Sequence, residues 1–253
     1  TFVNKKTGVA YLTLHGKEAG IEKIGGAPLN RSAAEVNALD DRSVQRTALS
    51  NPLKNTDHIP DLYPDLGPQA DKLINDFGYS PEQIAIGGDS AGGNLALITM
   101  LKLKDLGVSL PTSLALLSPW ADPSGSGDSY TEEMADRDIL IGPIMKRIWK
   151  SNDQLYNYYI DDENVNKEDP YMFPLSGNYQ NCPPIMIQVG TEELLLSDSQ
   201  SLKTLLERDN CEHEYYEWEG MYHVFHIDVK MPETIEAFQQ IGSFLEKHLP
   251  KSL

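Results

Sequence analysis

One serine set between glycines is the first place in this sequence where side-chain chemistry is suggested. In Gly88-Asp89-Ser90-Ala91-Gly92 a single hydroxyl follows the strand-like run 83–86 and precedes the helical run 91–106. A G-x-S-x-G segment at a strand-to-helix turn is the context of a nucleophile elbow. The glycines let two backbones approach closely, and the serine is held in strained dihedrals with its hydroxyl pointing outward. The helix behind it begins with N–H groups that lack intrahelical partners and with a positive dipole end. Ala91 N–H is therefore placed to hold a developing oxyanion. Taken alone, the segment is equally compatible with a glycine-rich turn that binds a phosphate or nothing.

A serine hydroxyl is a poor nucleophile until a base takes its proton and an acid orients that base. Two later strand-like runs, 184–189 and 213–218, lead into loops that carry both kinds of group. Both loops fall at the same edge of a parallel sheet as the elbow. Of the six histidines, His15, His58, His213 and His248 sit at strand ends or in polar segments, whereas His223 and His226 share the second loop. His223 lies at the loop tip, and His226 lies among Phe225, Ile227 and Val229, so His223 is the expected base. Glu192, Glu193 and Asp198 compete for the acid. Asp198 falls inside the next predicted helix, where capping or pairing is its commoner role, and Glu193 is the expected acid. The order serine, acid, histidine is that of α/β-hydrolases.

Four stretches in the same order resemble the hormone-sensitive-lipase family of α/β-hydrolases. They are Ile86–Ala96 (IGGDSAGGNLA), Leu117–Asp122 (LSPWAD), Pro183–Asp198 (PPIMIQVGTEELLLSD) and Gly220–His226 (GMYHVFH), and the resemblance spans about residues 60–250. It implies a carboxylesterase or acetyl esterase acting on short or medium acyl chains without a cofactor, with Ser90 as nucleophile, Glu193 as acid and His223 as base. In that family an H-G-G-G segment completes the oxyanion hole. The corresponding residues here are His15-Gly16-Lys17-Glu18, so the amides of Gly16 and Lys17 are the expected second donors. Loss of one such donor costs on the order of a hundred- to a thousandfold in rate. The family also carries a helical cap ahead of this segment, and only fourteen residues precede it here, so the cap is expected to be reduced or missing.

The elements that must position these groups read as alternating helix and strand after residue 60. Predicted strands at 9–14, 83–86, 113–117, 184–189 and 213–218 alternate with helices at 68–77, 91–106, 197–208 and 232–248. That alternation predicts a mostly parallel central sheet with helices on both faces, here an α/β-hydrolase fold in a single domain spanning 1–253. Residues 122–180, rich in Asp, Gly, Ser and Tyr with one helix near 143–159, read as an insertion over the C-terminal edge of the sheet. Residues 17–60 show only patchy periodicity, with 44–49 their best strand candidate. Asp89, Trp120, Tyr222 and Phe225 stand beside the expected site and are candidates to wall an acyl pocket. Core packing is the commoner role of such aromatics.

Bulk properties narrow the partners. With 38 acidic against 21 basic residues the chain carries a formal charge of −17, which argues against nucleic acid and anionic membranes. No run approaches the eighteen apolar residues of a membrane span. The expected partner is a small-molecule ester, with a homodimer left open and a cytoplasmic location favoured. The chain begins at Thr1 without a basic-then-apolar leader, as expected of a processed or partial chain. Cys182 and Cys211 each precede a strand, and two buried free thiols are favoured over a disulfide. The acidic run 161–169 lacks the glycine and terminal glutamate of a calcium loop. No Cys/His spacing suggests zinc, so no metal is expected. Asn30-Arg31-Ser32 has the form of a glycosylation sequon. Two other functions stay open: a hydrolase fold turned ligand-binding protein, and an acyltransferase or amidase using the same three residues.

Overall fold

The computed structural model describes residues 2–4, 9–14, 80–107, 109–151 and 165–248. Strands β1 (Phe2–Asn4) and β2 (Val9–Leu14) pair antiparallel. From β2 the sheet continues in parallel through β3 (Ile84–Asp89), β4 (Leu114–Leu117), β5 (Ile185–Glu192) and β6 (His213–Tyr222), in spatial order β1 to β6. Parallel strands need crossover connections, and among the described residues these are helical. Helix α1 (Ala91–Asp105) follows β3, α2 (Glu132–Arg137) and α3 (Gly142–Ser151) follow β4, α4 (Leu196–Arg208) follows β5, and α5 (Pro232–His248) follows β6.

Alternation along the strands assigns the two faces. Ile86, Leu114, Leu116, Ile185 and Ile187 pack with Leu97, Met100 and Leu101 of α1 and Leu202, Leu205 and Leu206 of α4. Ala85 and Met186 point the other way and pack with Phe244 and Leu245 of α5. Because β5 is covered on both sides, its first six residues are all buried, which is why it reads as a continuous apolar run. Truncating a core leucine such as Leu116 to alanine in this setting costs about 2–5 kcal/mol.

The structure shifts several predicted bounds. Strand β3 starts only after a 3-10 turn at Pro81–Gln83. Strand β5 runs on to Glu192 and β6 to Tyr222, because their ladder resumes past an irregularity between Gly190 and Glu192. Helix α3 covers Gly142–Ser151 of the helix expected near 143–159, and residues 152–164 lie outside the described residues. Helix α2 was not expected, although its signal is present in the sequence: the Thr131 side chain accepts the Met134 N–H at 3.1 Å, with Glu132 and Glu133 in the first turn. The expected helix at 68–77, the strand at 44–49, the cap and the sequon at 30–32 fall outside the described residues.

Cys182 and Cys211 are free thiols, so the alternative of a disulfide does not hold. Burial pushes Cys182 up to about 11 and Cys211 up to about 12, which leaves both as inert thiols at neutral pH.

Candidate active site

The C-terminal ends of three parallel strands converge on one hydroxyl. Strand β3 ends at Asp89, and Ser90 turns directly into α1 with φ 53° and ψ −122°. This left-handed conformation is costly for a residue with a Cβ and is held by the surroundings. Ser90 N–H donates to Leu117 O at 2.9 Å. The Ser90 carbonyl accepts the N–H groups of Gly93 at 2.9 Å, Asn94 at 3.3 Å and Trp120 at 3.0 Å. Gly88 is required by the closeness of the turn, since a Cβ there would stand 2.2 Å from the Gly92 carbonyl oxygen.

His223 follows β6 and reaches back across the sheet edge, with Nε2 2.9 Å from Ser90 Oγ. Its Nδ1 lies 2.7 Å from Glu193 Oε2, and both side chains are almost wholly buried, at 1% and 0% exposure. Glu193 sits in the turn between β5 and α4. Its Oε1 accepts Gly190 N–H and Ser118 Oγ–H, each at 2.7 Å. An acceptor-only carboxylate fixes the tautomer: His223 Nδ1–H donates to Glu193, and Nε2 is free to accept the Ser90 hydroxyl proton. The three residues thus form one directed chain of hydrogen bonds.

The other candidates go elsewhere. Glu192 lies 3.4 Å from Arg137 in a half-exposed ion pair. Asp198 is buried in α4, where its Oδ2 accepts Asp122 N–H at 2.8 Å, and desolvation raises its pKa well above the usual carboxylate range. Both acids are therefore pairing groups beside the Glu193 turn. His226 is buried in the core. Its ring stacks on Phe225 at 3.9 Å between centroids, and its Nε2 meets Gln188 Oε1 at 2.9 Å. Nδ1 has no hydrogen-bond partner among the described residues, and desolvation, aided by nearby His223, pushes its pKa down to about 3.

Ala91 is the first residue of α1, where a backbone N–H has no intrahelical acceptor. Gly16 and Lys17 lie outside the described residues. Asp89 ends β3 opposite Leu117. Trp120 is half-buried beside the elbow, with Nε1–H on Asp122 O at 3.2 Å. Tyr222 is half-buried at the end of β6. Phe225 is fully buried against Trp218 and His226 and presents no surface to solvent. That placement corrects its candidacy as a pocket wall, because the loop after His223 folds inward to fill the core. Among the described residues no group of three or more His, Cys, Asp or Glu side chains is arranged to hold a metal ion, and no helix is long and apolar enough to cross a membrane.

Several residues that build the site carry no obvious sequence signal. Asn94 is buried in α1 and donates to Trp120 O at 2.9 Å, tying the elbow to the loop after β4. Ser118 meets Glu193, as above. Asp138 accepts the N–H of Leu194, the residue after the acid, at 3.0 Å. Ser129 Oγ donates to Leu194 O at 2.5 Å. Residues 122–151 therefore grip the acid turn from outside. Asn94 and Ser118 fall within the stretches 86–96 and 117–122 set apart in the sequence, whereas Ser129 and Asp138 lie outside all four.

With this geometry in hand, the kinship of the chain is specific. Residues 47–227 match a family profile described as the alpha/beta hydrolase fold. An acetyl-hydrolase of Streptomyces hygroscopicus is 31% identical over 175 residues, which cover 69% of this chain and 56% of that protein. An esterase of Acinetobacter venetianus is 30% identical over 169 residues, 66% of this chain and 53% of the relative. Among solved structures, an esterase from the bacterial hormone-sensitive lipase family is 26% identical with a TM-score of 0.67, covering 95% of this chain and 76% of its own. An esterase/lipase from an uncultured bacterium gives the same identity and TM-score, covering 97% and 78%. The chain spans little more than half the length of these two curated relatives.

Proposed function

The chain belongs to the alpha/beta hydrolase fold family, and we propose that it is a serine carboxylic-ester hydrolase acting on short- to medium-chain acyl esters. The observation that carries this reading is the hydrogen-bond chain from Ser90 Oγ through His223 to Glu193, at 2.9 and 2.7 Å. The esterase and acetyl-hydrolase names of the relatives support the substrate class.

In this reading Ser90 Oγ attacks the ester carbonyl carbon as its proton passes to His223 Nε2. The new imidazolium is stabilised through Nδ1–H by the Glu193 carboxylate, which stays ionised. The tetrahedral oxyanion is held by Ala91 N–H and by amides of the Gly16–Lys17 segment. Collapse breaks the ester C–O bond, and the leaving alkoxide takes the proton back from His223. Water, deprotonated by the same imidazole, then releases the acyl group and restores Ser90. A low-dielectric setting strengthens each of these charge contacts, and burial of the His223–Glu193 pair supplies one.

The test is hydrolysis of a chromogenic acetyl-to-octanoyl ester series by this chain and by Ser90→Ala. Turnover that vanishes with Ser90 supports the reading, and its dependence on acyl length measures the pocket. A folded protein that binds these esters without turnover would instead support a ligand-binding role. Faster acyl transfer to added alcohols or amines than to water would favour the acyltransferase or amidase alternative.

A further inference from the structure

Two left-handed backbone positions flank the acid–base pair besides Ser90 itself. Ser118 has φ 47° and Val224 has φ 50°. Left-handed dihedrals are uncommon outside glycine and rarer still for a β-branched residue such as valine. One hydroxyl joins the two positions. Ser118 Oγ–H donates to Glu193 Oε1 at 2.7 Å, and the same oxygen accepts Val224 N–H at 3.1 Å. Ser118 is fully buried, and its own N–H donates to Gln188 O of β5 at 2.7 Å. The hydroxyl is thus anchored by the end of β4, bonded to the acid on one side and to the peptide directly after the base on the other.

We propose that Ser118 is a positioning residue that holds Glu193 and His223 in register, acting on the reaction through that pair and never touching the ester. The inference rests on the hydrolase reading above for its effect on rate, and on geometry alone for its effect on the imidazole. Glu193 Oε1 has two described donors, Gly190 N–H and Ser118 Oγ–H. Only the second is also tied to the loop that carries the base. Removing the hydroxyl leaves Val224 N–H without this acceptor and leaves Oε1 held by Gly190 N–H alone, so the carboxylate is less firmly fixed against Nδ1. The imidazolium then loses support, so the His223 titration midpoint falls.

The experiment uses the whole chain with Ser118→Ala and Ser118→Gly. Glycine tolerates φ 47° without strain, so it removes the hydroxyl while relieving the backbone and guards against a simple folding failure. Proton and nitrogen NMR of His223 gives the first readout. The expected result in both variants is a midpoint lowered by about half a pH unit or more and a weakened Nδ1–H signal. An unmoved midpoint in a folded variant overturns the proposal, whether or not the protein hydrolyses esters. Ester kinetics give the second readout. Loss of a hydrogen bond to a charged group predicts a fall in kcat of about 10–100-fold with KM within about twofold. In a Glu193→Gln background, Ser118→Ala should cost less than about a further twofold, because its route through the carboxylate is already gone. Losses that multiply instead would assign Ser118 a structural role independent of Glu193 and overturn the inference. Absence of any ester turnover by the parent chain would count against the hydrolase reading, and the NMR titration would still decide this one.

Discussion

Asp138 and Leu194 lie 56 positions apart in the chain, yet Asp138 Oδ2 accepts Leu194 N–H at 3.0 Å beside the buried acid Glu193. The same carboxylate uses Oδ1 to accept Leu140 N–H at 3.1 Å and Ile141 N–H at 3.0 Å at the start of α3. One fully buried side chain therefore satisfies donors from two separate segments. It also fixes the turn that presents Glu193 to His223.

Asp138→Ala should be destabilising for that reason. It strands the buried Leu194 N–H, which costs about 1–3 kcal/mol when left unpaired. Leu140 is exposed and Ile141 half-buried, so water can reach their N–H groups. A loss of about 1–3 kcal/mol is therefore expected in denaturant titration. Below the new midpoint, kcat should also fall, because the acid turn is no longer pinned. A variant with unchanged midpoint would show that water replaces the carboxylate at this position.

Glu193→Gln tests the acid. The amide can offer an N–H to Nδ1, which favours the wrong imidazole tautomer, and in well-studied triads the matching change lowers kcat by about 10⁴-fold. Glu192→Gln breaks only a half-exposed ion pair with Arg137, and such pairs contribute about 0–1 kcal/mol, so its kcat should stay close to that of the parent. Equal losses in the two variants would remove Glu193 from its assigned role.

Gly88→Ala tests the elbow. Its Cβ would meet the Gly92 carbonyl oxygen at 2.2 Å, backbone against backbone, so either β3 or α1 must move. The expected outcome is loss of ester turnover together with a lowered thermal midpoint. Retention of both would mean that the turn is looser than its geometry states.

His226 makes stability depend on pH. The groups facing it are Phe225 on its own loop, Gln188 of β5, Phe238 of α5 and the nearby His223. Its folded pKa is depressed to about 3 from 6.5. The buried ring therefore stays neutral while the unfolded chain takes up a proton below 6.5. This contribution to stability is fully present above that value and is lost as pH falls toward 3, by up to about 1.4 kcal/mol per pH unit. His226→Phe should flatten that part of the stability profile in urea titrations between pH 6 and 4. An unchanged slope would show that the proton uptake belongs to another group.

The elbow, the order of the three site residues and the alternation of helix and strand were legible in the sequence, because each is a local signal. Gly88 and Gly92 bracket Ser90 within five residues, and the apolar runs of β3, β4 and β5 record burial on both faces of a parallel sheet. Sequence reasoning also favoured Glu193 over Asp198 and His223 over His226 from their places in the loops. What it could not settle was how those loops are held. Ser118, Asp138 and Asn94 bond to partners 75, 56 and 26 residues away, and no periodicity or spacing encodes such a pairing. Phe225 shows the same limit in reverse: its neighbourhood in sequence suggested a pocket wall, while the turn at Val224 sends its ring into the core. A hydrogen bond acts over about 3 Å in space, with no regard for separation along the chain. Local sequence thus determined which groups could react, and only the register of β3 to β6 decided which of them meet.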